Sequence, residues 1–120
     1  MSFPAEILAL LDATQEVDIE THSASGNAHR VPIWVVVDGD DVFARSYVGH
    51  EARWYRELIV RPGAIVAADL SIPVRAVLAV DKVSVARTSR GYQKKYPHSP
   101  SVRAMQRPEV LGTTIRLEPA

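Results

Sequence analysis

The chain has 120 residues, of which 47% are hydrophobic and 23% charged, enough for one core and a single domain over 1–120 but not for two. Fourteen basic residues balance fourteen acidic ones, which argues against a nucleic-acid partner. Cysteine is absent, which excludes a disulfide framework, a thiol nucleophile and a thiolate metal site.

Taken in order, Phe3 to Leu11 predicts a short amphipathic helix, with Pro4 suited to a first helical position. The start, MSFPAEILALLDAT, lacks a basic segment, a long apolar run and a small-residue cleavage site. No stretch is long enough to cross a bilayer, so a cytoplasmic protein without a membrane partner is expected. Val17, Ile19 and Thr21 alternate with Asp18, Glu20 and His22, the pattern of a half-buried strand. Ser23 to Ala28 is a turn by composition. Arg30 to Val37, RVPIWVVV, predicts the most apolar strand, with Pro32 marking an edge or bulge near its start. Asp38-Gly39-Asp40 is a hairpin signal leading into Val42–Tyr47, so the first three strands are expected to form an antiparallel meander.

Gly49 breaks that third strand, and Glu51 to Ile59 has helical spacing, with Trp54, Leu58 and Ile59 on one face. Arg61-Pro62-Gly63 turns the chain into strands at Ala64–Leu70 and Ser71–Val80. Asp81 is placed to cap a helix over Lys82–Lys95, on which Val85, Ser89, Tyr92 and Tyr96 form a stripe and Gly91 is a weak point. Residues 96–100 form a loop, 101–107 a helical turn, and Thr113 to Leu117 a last strand. Six short strands with flanking helices are expected to curl into a barrel, which removes exposed edges.

The charge is unevenly spread. Seven basic residues and no acid lie between Lys82 and Arg107, whereas ten of the fourteen acids precede Val60. That basic stretch reads either as a solvated helix or as a wall facing an anionic ligand or partner. At the strand–Gly–helix junction, free N–H groups and the helix dipole favour an anion. Arg45 and Arg53 flank the turn and are suited to a phosphate. The competing reading makes Arg45 an exposed strand residue, Arg53 a solvated helix residue and Trp54 plain core.

The remaining chemistry-bearing residues form no recognised motif. The four histidines show no helical metal-binding spacing and no HExxH, so no metal site is expected. His50, beside Gly49, is either a donor to a ligand or simply exposed. No G-x-S-x-G elbow, P-loop or G-x-G-x-x-G occurs.

The order of these signals resembles a known superfamily. A strand and a Gly-containing turn come first, then a strand with Arg30-Val31-Pro32 near its start and the Asp-Gly-Asp hairpin. Next come a strand ending in Arg45-Ser46, then Gly49, a helix with Trp54 and Leu58, and Arg-Pro-Gly before another strand. This resembles the FMN-binding split β-barrel superfamily, which includes pyridoxamine-phosphate oxidases and deazaflavin-dependent nitroreductases. Within it, Arg45-Ser46, Gly49, Trp54 and Lys95-Tyr96 are most similar to the uncharacterised bacterial DUF2255 family.

The resemblance implies a mainly β (α+β), six-stranded antiparallel split barrel. It implies a homodimer with FMN, or alternatively a deazaflavin, in a groove between subunits, and oxidoreductase activity on a small molecule. Residue by residue, it makes Arg45, Ser46 and Arg53 phosphate contacts. Gly49 would permit close backbone approach, with His50 beside it. Trp54 would be core or would support the phosphate end, and Arg30, Val31 and Pro32 would run along the ring system. On this reading Arg45→Ala weakens cofactor binding with little loss of stability. The rival expectation is a cofactor-free barrel that binds an anionic small molecule or a protein partner. Catalytic residues are not identifiable from the sequence, because a flavin itself carries the redox chemistry.

Overall fold

Strand β1, Val17–His22, buries Val17, Ile19 and Thr21 and leaves the residues between them half-exposed, as its alternation predicts. The computed structural model describes residues 2–120. Helix α1 spans Ala5–Ala13. After β1 come β2 (Ala28–Ile33), β3 (Val35–Asp38) and β4 (Asp41–Ala44). A 3-10 turn at Gly49–Glu51 precedes the short helix α2, Arg53–Leu58. Strands β5 (Gly63–Ala67) and β6 (Leu70–Leu78) then lead into helix α3, Lys82–Lys95. The chain ends with α4 (Ser101–Ala104), α5 (Pro108–Leu111) and β7 (Ile115–Pro119).

All seven strands form one antiparallel sheet in the order β2-β1-β5-β6-β7-β4-β3. The sheet is curled into a half-barrel. The expected class is therefore present with seven strands rather than six, because the segment Arg30–Val37 is two strands. Its break is Trp34. Ile33 pairs with Val17 on one side of it, and Val35 pairs with Ala44 on the other. β2 and β3 thus stand at opposite ends of the sheet although one residue joins them. The expected meander of the first three strands is replaced by two hairpins, β1–β2 and β3–β4, linked by this bend.

The apolar run around Val35 has a physical reason. Val35, Val42 and Ala44 belong to the core inside the barrel, whereas Val36 and Phe43 belong to a second core beneath α3 with Tyr92, Tyr96 and Met105. Strands covered on both faces lose polar alternation. Asp81 caps α3 by accepting from the Ser84 N–H at 3.0 Å, as expected. The buried stripe of α3 is Ser84, Thr88 and Tyr92, continued by Tyr96, one residue out of step with the predicted Val85 and Ser89. Gly91, unfavourable for helix propensity, lies where a Cβ would stand 2.9 Å from Val36 Cγ2. Its lack of a side chain lets α3 approach β3.

The free edge of β3 is covered. Lys95 Nζ donates to Val35 O at 2.7 Å and to Leu11 O, in the last turn of α1, at 2.9 Å. Arg87 donates to Asp38 and Asp41 across the β3–β4 hairpin. Two residues of the basic stretch are therefore spent on holding α3 to the sheet edge, a standard way of blocking edge pairing.

Candidate functional site

Arg45 follows the last residue of β4 and is 1% exposed. Its Nε donates to Thr114 Oγ1 at 2.8 Å, Nη1 to Met105 O at 3.1 Å and Nη2 to Val85 O at 2.9 Å. Its backbone N–H donates to the Tyr92 hydroxyl at 3.0 Å. Three of the five N–H groups of this guanidinium are thus engaged, all by neutral acceptors. No carboxylate pairs with it among the described residues. Burial pulls its pKa below the usual arginine value, and the Tyr92 phenol acts in the opposite sense. The expectation of an exposed, mutable arginine is corrected here, because the side chain ties α3, the end of α4 and the segment before β7 to β4.

Arg45 lines a cavity of about 240 Å³ at the β2–β3 bend. Pro32, Trp34, Tyr47, Trp54 and Met105 form much of its wall, and Glu16 stands at it from the α1–β1 connection. Trp34 stacks on Tyr96 at 3.9 Å between ring centroids, and Tyr96 in turn donates to Gln15 O at 2.7 Å. Trp54 packs against the barrel core and meets Tyr55 edge-on. One wall is therefore held by α3 and the other by α2, with the bend between them.

Of the residues expected to act together, the cavity gathers Pro32, Arg45 and Trp54. Arg30 is instead exposed and paired with Glu20 at 2.9 Å across β1–β2. Val31 is half-buried against the barrel core. Ser46 is fully buried, its N–H donating to Thr113 Oγ1 at 2.9 Å and its hydroxyl making no hydrogen bond. Gly49 turns the chain at φ +84° and donates its N–H to Ser46 O. That amide is therefore not free for an anion, and Ala52, in an extended conformation, separates the 3-10 turn from α2. His50 is exposed and meets Tyr55 edge-on at 5.6 Å. Arg53 lies in a different concavity with Arg56 and Arg61, so it does not join Arg45.

The sequence reading missed Trp34, Glu16, Tyr47 and Met105 as cavity residues. Trp34 carries a usable signal, a bulky aromatic set in a run of valines one residue after Pro32-Ile33. Glu16 and Met105 reach the site only through tertiary folding. Among the described residues no group of three or more His, Asp or Glu side chains is placed to hold a metal ion, and no helix is long and apolar enough to cross a membrane.

Several solved structures share this fold. The heme storage protein HutZ from Vibrio cholerae aligns over 100% of this chain and 92% of its own, with a TM-score of 0.72 and 16% identity. A Listeria innocua protein assigned as a pyridoxamine 5'-phosphate oxidase aligns over 95% and 90%, with a TM-score of 0.67 and 19% identity. An F420-H2 dependent reductase, FDR-A, aligns over 87% and 94%, with a TM-score of 0.64 and 17% identity. At these identities the likeness shows the architecture and nothing finer. No curated protein matches the chain. The family model for uncharacterised proteins conserved in bacteria, DUF2255, matches residues 7–117, and the chain belongs to that family.

Proposed function

We propose that the cavity at the β2–β3 bend receives part of a flavin-type cofactor, FMN or a deazaflavin, and that the protein acts as a homodimeric oxidoreductase on a small molecule. The observation that carries this reading is Arg45. A buried cation facing only neutral acceptors is costly unless a counter-charge arrives, and this one lines a cavity walled by two tryptophans. An anionic group at Arg45 with a ring system against Trp34, Trp54 and Pro32 meets both features. The fold-sharing proteins described as a pyridoxamine 5'-phosphate oxidase and an F420-H2 dependent reductase support the choice of cofactor class.

The cavity size bears on assembly. At about 240 Å³ it falls below the roughly 300–1,000 Å³ of ordinary ligand pockets. On this reading one chain supplies part of the cofactor site and a second copy completes it. A bound flavin supplies the hydride or electron transfer. The chain's own residues bind its anionic group, flank its ring and exclude water from one face. The same small volume favours the second reading, a cofactor-free module for a compact anionic molecule.

The test is a titration with FMN, FAD, a deazaflavin and heme, followed by visible absorption and by the fluorescence of Trp34 and Trp54, the only tryptophans. Saturable binding of FMN or the deazaflavin, with quenching, is expected. A folded protein that binds no flavin or deazaflavin ends the redox reading and leaves the module.

A further inference from the structure

Among the described residues two charged side chains line the bend cavity, and they have opposite sign. Arg45 is fully buried at the end of β4, whereas Glu16 is exposed on the connection between α1 and β1. They make no ion pair with each other, and Glu16 has no basic partner among the described residues. The Glu16 carboxylate is close enough to help push the Tyr96 phenol above its usual range, after burial and Tyr92, and Tyr96 carries the stacked Trp34. The aromatic walls thus share the cavity with a buried cation that has no carboxylate partner and an exposed carboxylate that has no basic partner.

We infer that the cavity selects a planar aromatic ligand that is bipolar, with an anionic group for Arg45 and an ammonium or N–H donor for Glu16. This deepens the reading of the cavity as a ligand site and rests on it. An anion-only ligand meets Arg45 but faces repulsion from Glu16. A cation-only ligand leaves Arg45 without a counter-charge. A ligand bearing both groups answers each without a net charge entering the site, and two-ended polar recognition discriminates more sharply than apolar contact. Glu16 is then a specificity-determining residue, and it is replaceable because it is exposed and makes no side-chain hydrogen bond among those described.

Three probes share one ring: 4-(aminomethyl)benzoate carries both charges, 4-methylbenzoate only the anion and benzylamine only the cation. Binding is read from the quenching of Trp34 and Trp54 in the full chain. The bipolar probe is expected to bind about tenfold or more tightly than either single-charge probe, a difference of about 1.4 kcal/mol. Glu16→Gln is expected to bring it level with 4-methylbenzoate, and Glu16→Lys to reverse the order. Equal affinity of 4-(aminomethyl)benzoate and 4-methylbenzoate in the unmodified protein overturns the inference and leaves the anion site standing. Retention of the preference by Glu16→Gln overturns it equally. Failure of all three probes overturns the inference, and failure of FMN and the deazaflavin as well overturns the cavity as a ligand site altogether.

Discussion

Arg45 shows how one side chain has two duties that sequence cannot separate. Its guanidinium holds Val85 O, Met105 O and Thr114 Oγ1, and the residue also lines the cavity. Arg45→Met removes three donors at once and leaves buried acceptors unmatched, each worth about 1–3 kcal/mol. Allowing for relaxation, a loss of roughly 3 kcal/mol is expected, measured as a lower urea midpoint at unchanged slope. Unchanged stability would refute the structural duty. The Arg-Ser pair was legible as notable, but its burial was not, because an arginine at a strand end is ordinarily exposed. Trp54, by contrast, packs against the barrel core and also lines the cavity.

Among the elements, the β1–β5 pairing depends on one glycine. A Cβ at Gly63 would stand 2.3 Å from Glu20 O and 3.0 Å from Leu58 Cδ1. The first contact is with backbone and cannot yield by a rotamer change. Gly63→Ala is therefore expected to cost about 3 kcal/mol and to weaken protection of the β1 and β5 amides in hydrogen exchange. Native-like protection in that variant would show that the sheet accommodates the Cβ without loosening the β1–β5 pairing. The sequence marked Arg61-Pro62-Gly63 as a turn, and the turn is there, but the closeness of β1 is a non-local fact. Local signals served β1, the β3–β4 hairpin and α3 well, since alternation, Asp-Gly and an Asp cap act within a few residues. They failed at Trp34, where the bend is imposed by which strands lie on either side.

For the molecule as a whole, the packing of α3 against the sheet edge brings alkaline titration into folding stability. Burial lowers the Lys95 ammonium from 10.5 to about 8, with Asp12 acting in the opposite sense. The unfolded chain therefore binds more protons than the folded one between these values, and stability rises with pH there. Burial instead raises the Tyr92 and Tyr96 phenols above 10, so their contribution is lost as pH climbs beyond 10. A thermal scan is expected to show stability rising by about 1–2 kcal/mol from pH 8 to 10, the partial exposure of Lys95 moderating the gain, and falling above that. Lys95→Gln should remove the rise and keep the fall. A flat profile from pH 8 to 10 in the unmodified protein would contradict the burial of Lys95.

The β-rich antiparallel class, most element positions and the family could be read along the chain, because they follow from periodicity, turn chemistry and motif order. The rest came only with folding. It split one apolar segment at Trp34 and sent its halves to opposite ends of the sheet. It buried Arg45 among neutral acceptors, brought Glu16 and Met105 to the same cavity, and parted Arg53 from Arg45. The physical reason is that burial and counter-charge are properties of neighbours in space, and the neighbours of Arg45 lie 40 to 69 positions away in the chain.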